Sequence, residues 1–400
     1  MRDNNPPLEI RVGIDVGCYN HSVAIGLSSG ELVDEFEIAH RPEGFQQFFD
    51  HIEAHRQAQE CPVTVAMEGF NGHARPLDSL ILAQGYRLFN INNLKLARFK
   101  EIFPAAAKTD EIDARKALEL LQLRDYFPTA KGVLQQVVIC PEENAILKRL
   151  TRRRRRLVNE RVRLLNGLQD DLHAVCPGLL EITTNVGNLW FLRFLTRADS
   201  LPKLARLRRS TLLKIQRIGI KYAGIIQGWQ KRAQFSPEVE WTSEMILEDA
   251  NRVLDLHAKI KDLESKMETV ATRSQIATLL SSLPGFGPIC STELAGEIGT
   301  IERFTTENGL AVYLGMAPLD KSSGKHKGSK SPKHVNSRAK AAMMAAVDRH
   351  RTQVSQSQSY YLKKRAEGKG HNQTIRALGR HLCRVIFRML KLGRPYEIRS

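Results

Sequence analysis

From Glu142 to about Val175 the chain runs without a proline, and Leu150, Leu157 and Leu164 recur every seven residues. That period belongs to one long helix with its leucines on a single seam. A second stretch repeats the pattern: Ile246, Val253, Leu256, Ile260, Leu263, Met267 and Val270 are spaced 7, 3, 4, 3, 4 and 3, again a heptad seam. The two helices can pair with each other or with another subunit. The second is expected to mediate self-association, giving a dimer or tetramer, because an uncovered aliphatic seam would stay in water. At 400 residues and 45.2 kDa the chain also exceeds the usual size of a single core, so packed units are expected on either side of these helices.

What precedes them is patterned differently. RVGIDVG, HSVAIGL and LVDEFEIAH are three short segments rich in β-formers, with Ser28-Ser29-Gly30 as turn chemistry between the last two. Phe45, Phe48, Phe49 and Ile52 then recur at helical spacing, PVTVAMEG predicts a fourth strand, and RLFNINN a further one. Strands in a run, then alternating with helices, describe an α/β mixed sheet with flanking helices, as in ribonuclease H-like and actin-like cores. At Leu283-Pro284-Gly285-Phe286-Gly287 the second seam stops. The expected organisation is an N-terminal domain over 8–135, a helical and coiled-coil region over 142–280, and a mainly helical domain over 281–400.

Charge separates the last part from the rest. The chain carries +17, yet Lys321 to Ser400 holds 20 Lys+Arg against only Asp348, Glu367 and Glu397, leaving 40 basic and 40 acidic residues before it. A balanced body with a basic end points to a polyanion, nucleic acid before a membrane surface. No apolar run approaches the roughly 20 residues that span a bilayer, and MRDNNPPLEI lacks the order of a signal peptide. Six scattered cysteines without a CxxC pair indicate neither a zinc module nor a disulfide framework. A cytoplasmic protein is expected, with no membrane partner.

Four acids stand out. Asp15 interrupts the apolar Val12-Gly13-Ile14 strand, where a charge is costly unless paired or bound to metal. Glu68 ends the fourth strand, and Asp110 and Asp113 stand three apart, on one face of the helix that KTDEIDARKALELL predicts. If the first and fourth strands are neighbours, these carboxylates can converge on hard cations, two Mg²⁺ or Mn²⁺ ions, in the geometry that catalyses in-line phosphoryl displacement. Taken singly, each is equally a solvated surface acid, and Asp110 an acid favoured near a helix N-terminus.

GIDVG around Asp15, VAMEG ending in Glu68 and KTDEIDA with Asp110 and Asp113 together resemble the DEDD-type transposases of the IS110 family, whose N-terminal domain is RuvC-like. The later runs LPGFGPICSTELAGEIGTIERF, AVYLGMAPLDKSSGKHKG and YYLKKRAEGKGHNQTIRALGRHL resemble that family's second domain in order and spacing. GIDVG alone would be weak, since sugar kinases share it.

The resemblance implies a DNA recombinase that cuts and rejoins donor and target DNA, guided by a structured noncoding bridge RNA. It also implies a serine nucleophile at a Ser-Gly that follows a Gly-Leu-x-Pro-like segment. Here that segment is Gly315-Met316-Ala317-Pro318 and the dipeptide Ser323-Gly324, with Ser322 as rival. Lys321, Lys325 and Lys327 would receive the phosphate. By residue chemistry alone, Ser322 to Lys330 reads as a basic loop.

Leu283 to Gly287 resembles the hairpin of a helix-hairpin-helix unit and equally an ordinary helix break. In the closing helix Arg376, Arg380, Arg384 and Arg388 recur every four residues as a basic ladder, a candidate for phosphate contact. The run Arg152, Arg153, Arg154, Arg155 and Arg156 is too crowded for all to enter a core, so some must meet solvent, acids or nucleic acid. Two other readings stand beside transposition: a Holliday-junction nuclease that cuts with water, and a non-catalytic nucleic-acid scaffold.

Overall fold

A computed structural model of the chain describes residues 8–59, 61–69, 72, 74–92, 96–97, 99, 101, 110–126, 133–323, 326–330 and 335–397. At residues 57–59, 110, 125–126, 319–323 and 326–330 only the backbone is described. The chain divides into two compact units, Met1–Ile139 and Cys140–Ser400.

The first unit is a six-stranded mixed sheet with flanking helices. Strands β1 (Ile10–Val16), β2 (Asn20–Leu27), β3 (Leu32–Ala39), β4 (Val63–Glu68), β5 (Arg87–Ile91) and β6 (Leu134–Gln136) lie in the order β3-β2-β1-β4-β5-β6. The first three run antiparallel through short turns; β4 and β5 run parallel to β1, and β6 returns antiparallel to β5. Parallel neighbours need crossovers, which α1 (Pro42–Gln59) and α2 (Arg75–Ala83) provide. A third helix, α3 (Asp110–Tyr126), follows β5.

Period-two alternation sorts the side chains between two faces. Ile10, Val12, Ile14, Val63, Val65 and Met67 share one core with Phe45, Phe48, Ile52, Leu77 and Ile81 of α1 and α2. On the other face Ala66, Phe89 and Ile91 meet Ala117, Leu120 and Leu121 of α3, and Ala24 meets Ala114 and Leu118. Residues of opposite parity in β1 and β4 are therefore turned toward α3.

The second unit is organised by two long helices, α4 (Glu142–Val175) and α5 (Val239–Ala271). They run antiparallel. Ser236 N donates to Val175 O at 3.1 Å at one end of the pair, and Ser274 Oγ donates to Asn144 Oδ1 at 2.6 Å at the other. Between them Ile246, Val253, Leu256 and Ile260 are buried with Leu157, Leu164, Leu168 and Leu172, in a core completed by Trp190, Phe191, Phe194 and Trp229 from shorter helices. Met267 reaches a separate core with Leu147. The expectation that this seam joins two subunits is thus corrected: a heptad stripe requires a cover, and α4 of the same chain is that cover.

The second core gathers α6 (Gln275–Ser281), α7 (Pro288–Ile298), α8 (Glu307–Tyr313), α9 (Ser337–Gln353), α10 (Ser355–Ala366) and α11 (His371–Leu392). Between α8 and α9 stands a hairpin of β7 (Leu319–Ser323) and β8 (His326–Lys330).

Charge ties α4 to α7. Arg152 makes two bonds to Glu297, at 2.7 and 2.9 Å, and Arg155 two to Glu293, at 2.8 and 2.7 Å. Glu297 is 0% exposed, so its charge must be paired. Burial alone would raise its pKa, but Arg152 and Asn336, whose Nδ2 donates at 2.7 Å, hold it below the usual range. At Glu293 burial outweighs Arg155 and pushes the carboxyl up. Asn336 in turn caps α9, accepting from Arg338 N and Ala339 N at 3.1 Å.

Because the seam is internal, Ile260→Ala should act as a cavity mutation. Denaturant unfolding followed by helical circular dichroism should register a loss of about 2–5 kcal/mol. Sedimentation should give the wild-type mass; a shift toward a smaller species would restore the intermolecular seam.

Candidate active site

The geometry of the first unit begins at Gly13. A Cβ placed there would lie 2.4 Å from Ala114 O and 2.5 Å from Leu118 N, so the backbone of α3 rests directly on β1. Ala24 in β2 and Ala66 in β4 extend this floor of small residues, and Ala114 and Ala117 are the matching small residues on α3. At Gly13 itself no side chain separates helix from strand.

Two residues beyond Gly13 on the same face is Asp15, opposite Ser22 in β2. Gly13 pairs with Ala66 in the parallel register, and two residues beyond Ala66 is Glu68, the last residue of β4. Alternation therefore sends both acids from the ends of adjacent strands toward the α3 face. On α3, Asp113 precedes Ala114 and is only 9% exposed. Asp110 is the first residue of α3, three positions before Asp113; its side chain lies outside the described residues. The neighbouring strands on which this arrangement depends are thus observed.

Asp15 and Asp113 both take part in polar interactions. Among the described residues no three His, Cys, Asp or Glu side chains stand close enough to hold an ion. The donor chemistry is nevertheless that of hard cations, since Asp15, Glu68 and Asp113 offer carboxylate oxygens alone.

The second unit carries the other candidates. Ser323 is the last residue of β7 and pairs with His326, the first of β8; Ser322 pairs with Lys327, and Lys321 with Gly328. The stretch read by residue chemistry as a loop is therefore, in its described backbone, a two-stranded hairpin. Gly324 and Lys325 lie outside the described residues. The segment that leads in is firmly seated: Gly315 adopts φ +68°, and a Cβ there would meet the Lys340 stem at 2.8 Å.

The arginine run divides. Arg152 and Arg155 are held by Glu297 and Glu293, Arg154 Nε lies 2.6 Å from Glu264, and Arg153 and Arg156 are exposed. The ladder on α11 divides as well. Arg376 and Arg380 line a cavity with Lys340 and Lys369, whereas Arg384 pairs with Glu307 at 3.0 Å and Arg388 is exposed. The turn at Leu283 to Gly287 packs onto α9: Pro284 O lies 2.7 Å from His350 Nδ1, and Gly285 abuts the backbone of Arg349 and His350. Glu293 and Glu297 escaped sequence reasoning because their partners Arg155 and Arg152 come from a helix far away in the chain, and Lys340 and Lys369 because no spacing links them to the α11 ladder beside which they line the cavity.

Two family models match. One, described as a transposase of the DEDD IS110 type, covers residues 12–177, and the other, described as transposase IS116/IS110/IS902 family, covers 277–362. Over 390 residues the chain is 25% identical to the uncharacterized 44.8 kDa protein of insertion element IS116 from Streptomyces clavuligerus, spanning 96% of this chain and 94% of that one. It is 27% identical over 340 residues to the 42 kDa protein of insertion element IS900 from Mycobacterium paratuberculosis, covering 82% and 83% of the two chains. It is 26% identical over 323 residues to the 43.6 kDa protein of insertion element IS110 from Streptomyces coelicolor, covering 79% and 78%.

The floor under α3 yields a sharp contrast. Gly13→Ala should cost about 1–3 kcal/mol through overpacking, whereas Gly167→Ala, inside α4 with open space around it, should stabilise by about 0.5–1 kcal/mol. Thermal unfolding of the two variants checks both signs.

Proposed function

The chain belongs to the IS110/IS116 family of insertion-element transposases, and from that membership we propose that it cuts and rejoins DNA with a metal-dependent carboxylate set and a serine nucleophile. The observation that carries the reading is the register of β1 and β4, which aligns Asp15 with Glu68 on the face that α3 covers with Asp113. We read the first unit as a RuvC-like, ribonuclease H-like domain: three antiparallel strands followed by parallel β4 and β5 agree with that topology. We read α4 and α5 as an antiparallel coiled coil within the chain.

In this proposal Asp15, Glu68, Asp110 and Asp113 hold two divalent ions, Mg²⁺ or Mn²⁺. Such ions, when bound, stabilise the charge on the attacking and leaving oxygens of an in-line displacement. Ser323 Oγ attacks the scissile phosphorus, forming a serine–phosphate ester as the bond to the leaving DNA oxygen breaks; the serine proton passes, net, to that oxygen. Lys321, Lys325 and Lys327 neutralise the phosphate. The ester keeps the bond energy, so a second strand's hydroxyl can displace the serine and rejoin the DNA without an external energy source.

Guidance by a structured bridge RNA and residence in the cytosol or nucleoid follow from the family resemblance and complete the proposal; action as a dimer or tetramer is proposed without the α5 seam as its contact. No helix among the described residues is long and apolar enough to cross a membrane. The exposed Arg153 and Arg156 and, on α11, Arg376, Arg380 and Arg388 are the proposed nucleic-acid contacts; Arg384 is held by Glu307. Arg152, Arg154 and Arg155, already held by acids, are proposed to support the fold instead.

The test is a trapped adduct. Ser323→Ala should bind DNA and RNA as wild type does, yet give no protein–DNA adduct surviving denaturation and no recombination; Ser322→Ala should keep both. An adduct retained in Ser323→Ala but lost in Ser322→Ala moves the role by one residue. Metal-dependent cleavage by wild type without an adduct favours attack by water and the junction-nuclease reading.

A further inference from the structure

The connection from α8 into the serine-bearing hairpin borders a cavity of about 390 Å³. Pro318, just before β7, and Val335, just before α9, both line it, so the two ends of the hairpin segment are rooted in its wall. The opposite side is built by α9, α10 and α11. Lys340, Lys369, Arg376 and Arg380 face in, along with Tyr360 and His381, and no carboxylate lines the cavity among the described residues.

Four cations around one hollow repel one another, and their partners are few. Neither Lys340 nor Arg376 has an acid partner among the described residues. Lys369 shares Glu367 with Lys364 at the surface, and Arg380 reaches Glu307 only at 3.9 Å. Arg380 Nη1 is buried with no hydrogen-bond acceptor, a costly state for a donor. His381 accepts or donates one bond, 3.2 Å from the Tyr360 hydroxyl. Burial first, and then the neighbouring Arg384, Arg380 and Lys364, lower its pKa. Each of these features would be relieved by an anion.

Apart from Gln373 the remaining wall is apolar, with Met316, Ala317, Pro318 and Ala377. Met316 is anchored on α11, where a Cβ at Gly379 would lie 2.4 Å from its sulfur. A hollow with cations on one side and an apolar wall on the other suits a phosphodiester together with its sugar or base, and exceeds what a lone phosphate needs.

We propose that this cavity binds a backbone phosphodiester of a nucleic-acid strand and thereby fixes that strand beside the hairpin that bears Ser323. The inference rests on the transposase reading for its strand. It divides the arginine ladder: Arg376 and Arg380 grip the strand in the cavity, and Arg384 serves Glu307.

Binding of a fluorescent single-stranded oligo-dT, and of an oligo-U of equal length, is measured by anisotropy across a salt series with the full chain. Each phosphate contact on a single strand contributes about 0.7 to the slope of log affinity against log salt. Lys340→Gln/Arg376→Gln should therefore flatten the slope by roughly 1.4 and weaken binding at least about tenfold at low salt. Lys259→Gln/Lys266→Gln, which removes the same charge from exposed pairs on α5, should keep the wild-type slope. Arg376→Lys should retain the slope that Arg376→Gln loses, and that single pair decides the matter if the double variant unfolds.

A changed slope on the DNA arm, the RNA arm or both supports the cavity and names its strand. Parallel slopes for wild type and cavity variants on both arms overturn it. Adduct trapping on the same proteins separates the two readings: unchanged slopes with a wild-type adduct defeat the cavity alone, and changed slopes without any adduct defeat the serine alone.

Discussion

The seating of α3 on β1 is the contact on which the N-terminal unit depends. Ordinary side chains hold a helix well clear of the sheet it covers, whereas glycine and alanine on the sheet and alanine on the helix let backbone meet backbone. At Gly13 the gap closes until even one methyl group has no room. The same approach lowers Asp113 toward the strand ends from which Asp15 and Glu68 emerge. The small residues thus set the height of the helix: a bulkier floor would lift it and carry Asp113 away from those strand ends.

The second unit solves a different problem. Two long helices bury their seams against each other, and so create a rigid rod whose polar flank still carries five successive arginines. Glu293 and Glu297, one turn apart on α7, accept two of them through paired hydrogen bonds, the geometry in which guanidinium and carboxylate fit best. Glu297 then passes to Asn336, and Asn336 caps the helix that follows the serine hairpin. A chain of polar contacts centred on the buried Glu297 therefore runs from the rod to the hairpin's exit. Cutting it would leave a buried charge alone, which costs far more than the pair contributes.

Much of this was legible from the residues. Strand alternation located β1 to β5, absence of proline bounded α4 at Glu142 and Val175, and a charge inside the apolar β1 singled out Asp15. Other features were not legible, for physical reasons. Periodicity names the buried face of a helix but not its cover, so the α5 seam was assigned to another subunit when α4 covers it. The arginine run has its acids more than a hundred residues downstream, at Glu264, Glu293 and Glu297, and local sequence does not register such pairs. The strands of the β7–β8 hairpin, LDKSS and HKGSK, lack alternating apolar residues, so periodicity does not mark them. The basic cavity is assembled from three helices, of which only Arg376 and Arg380 announced themselves by spacing.

The central claim is that Asp15, Glu68, Asp110 and Asp113 form one site for two divalent ions. Mn²⁺ titration of the full chain, followed by electron paramagnetic resonance, tests it most directly because it needs neither DNA nor RNA. The account predicts two bound ions per chain, tight binding lost in Asp15→Asn and again in Asp113→Asn, and both ions retained in Ser323→Ala. Binding that survives both carboxylate substitutions unchanged would contradict it.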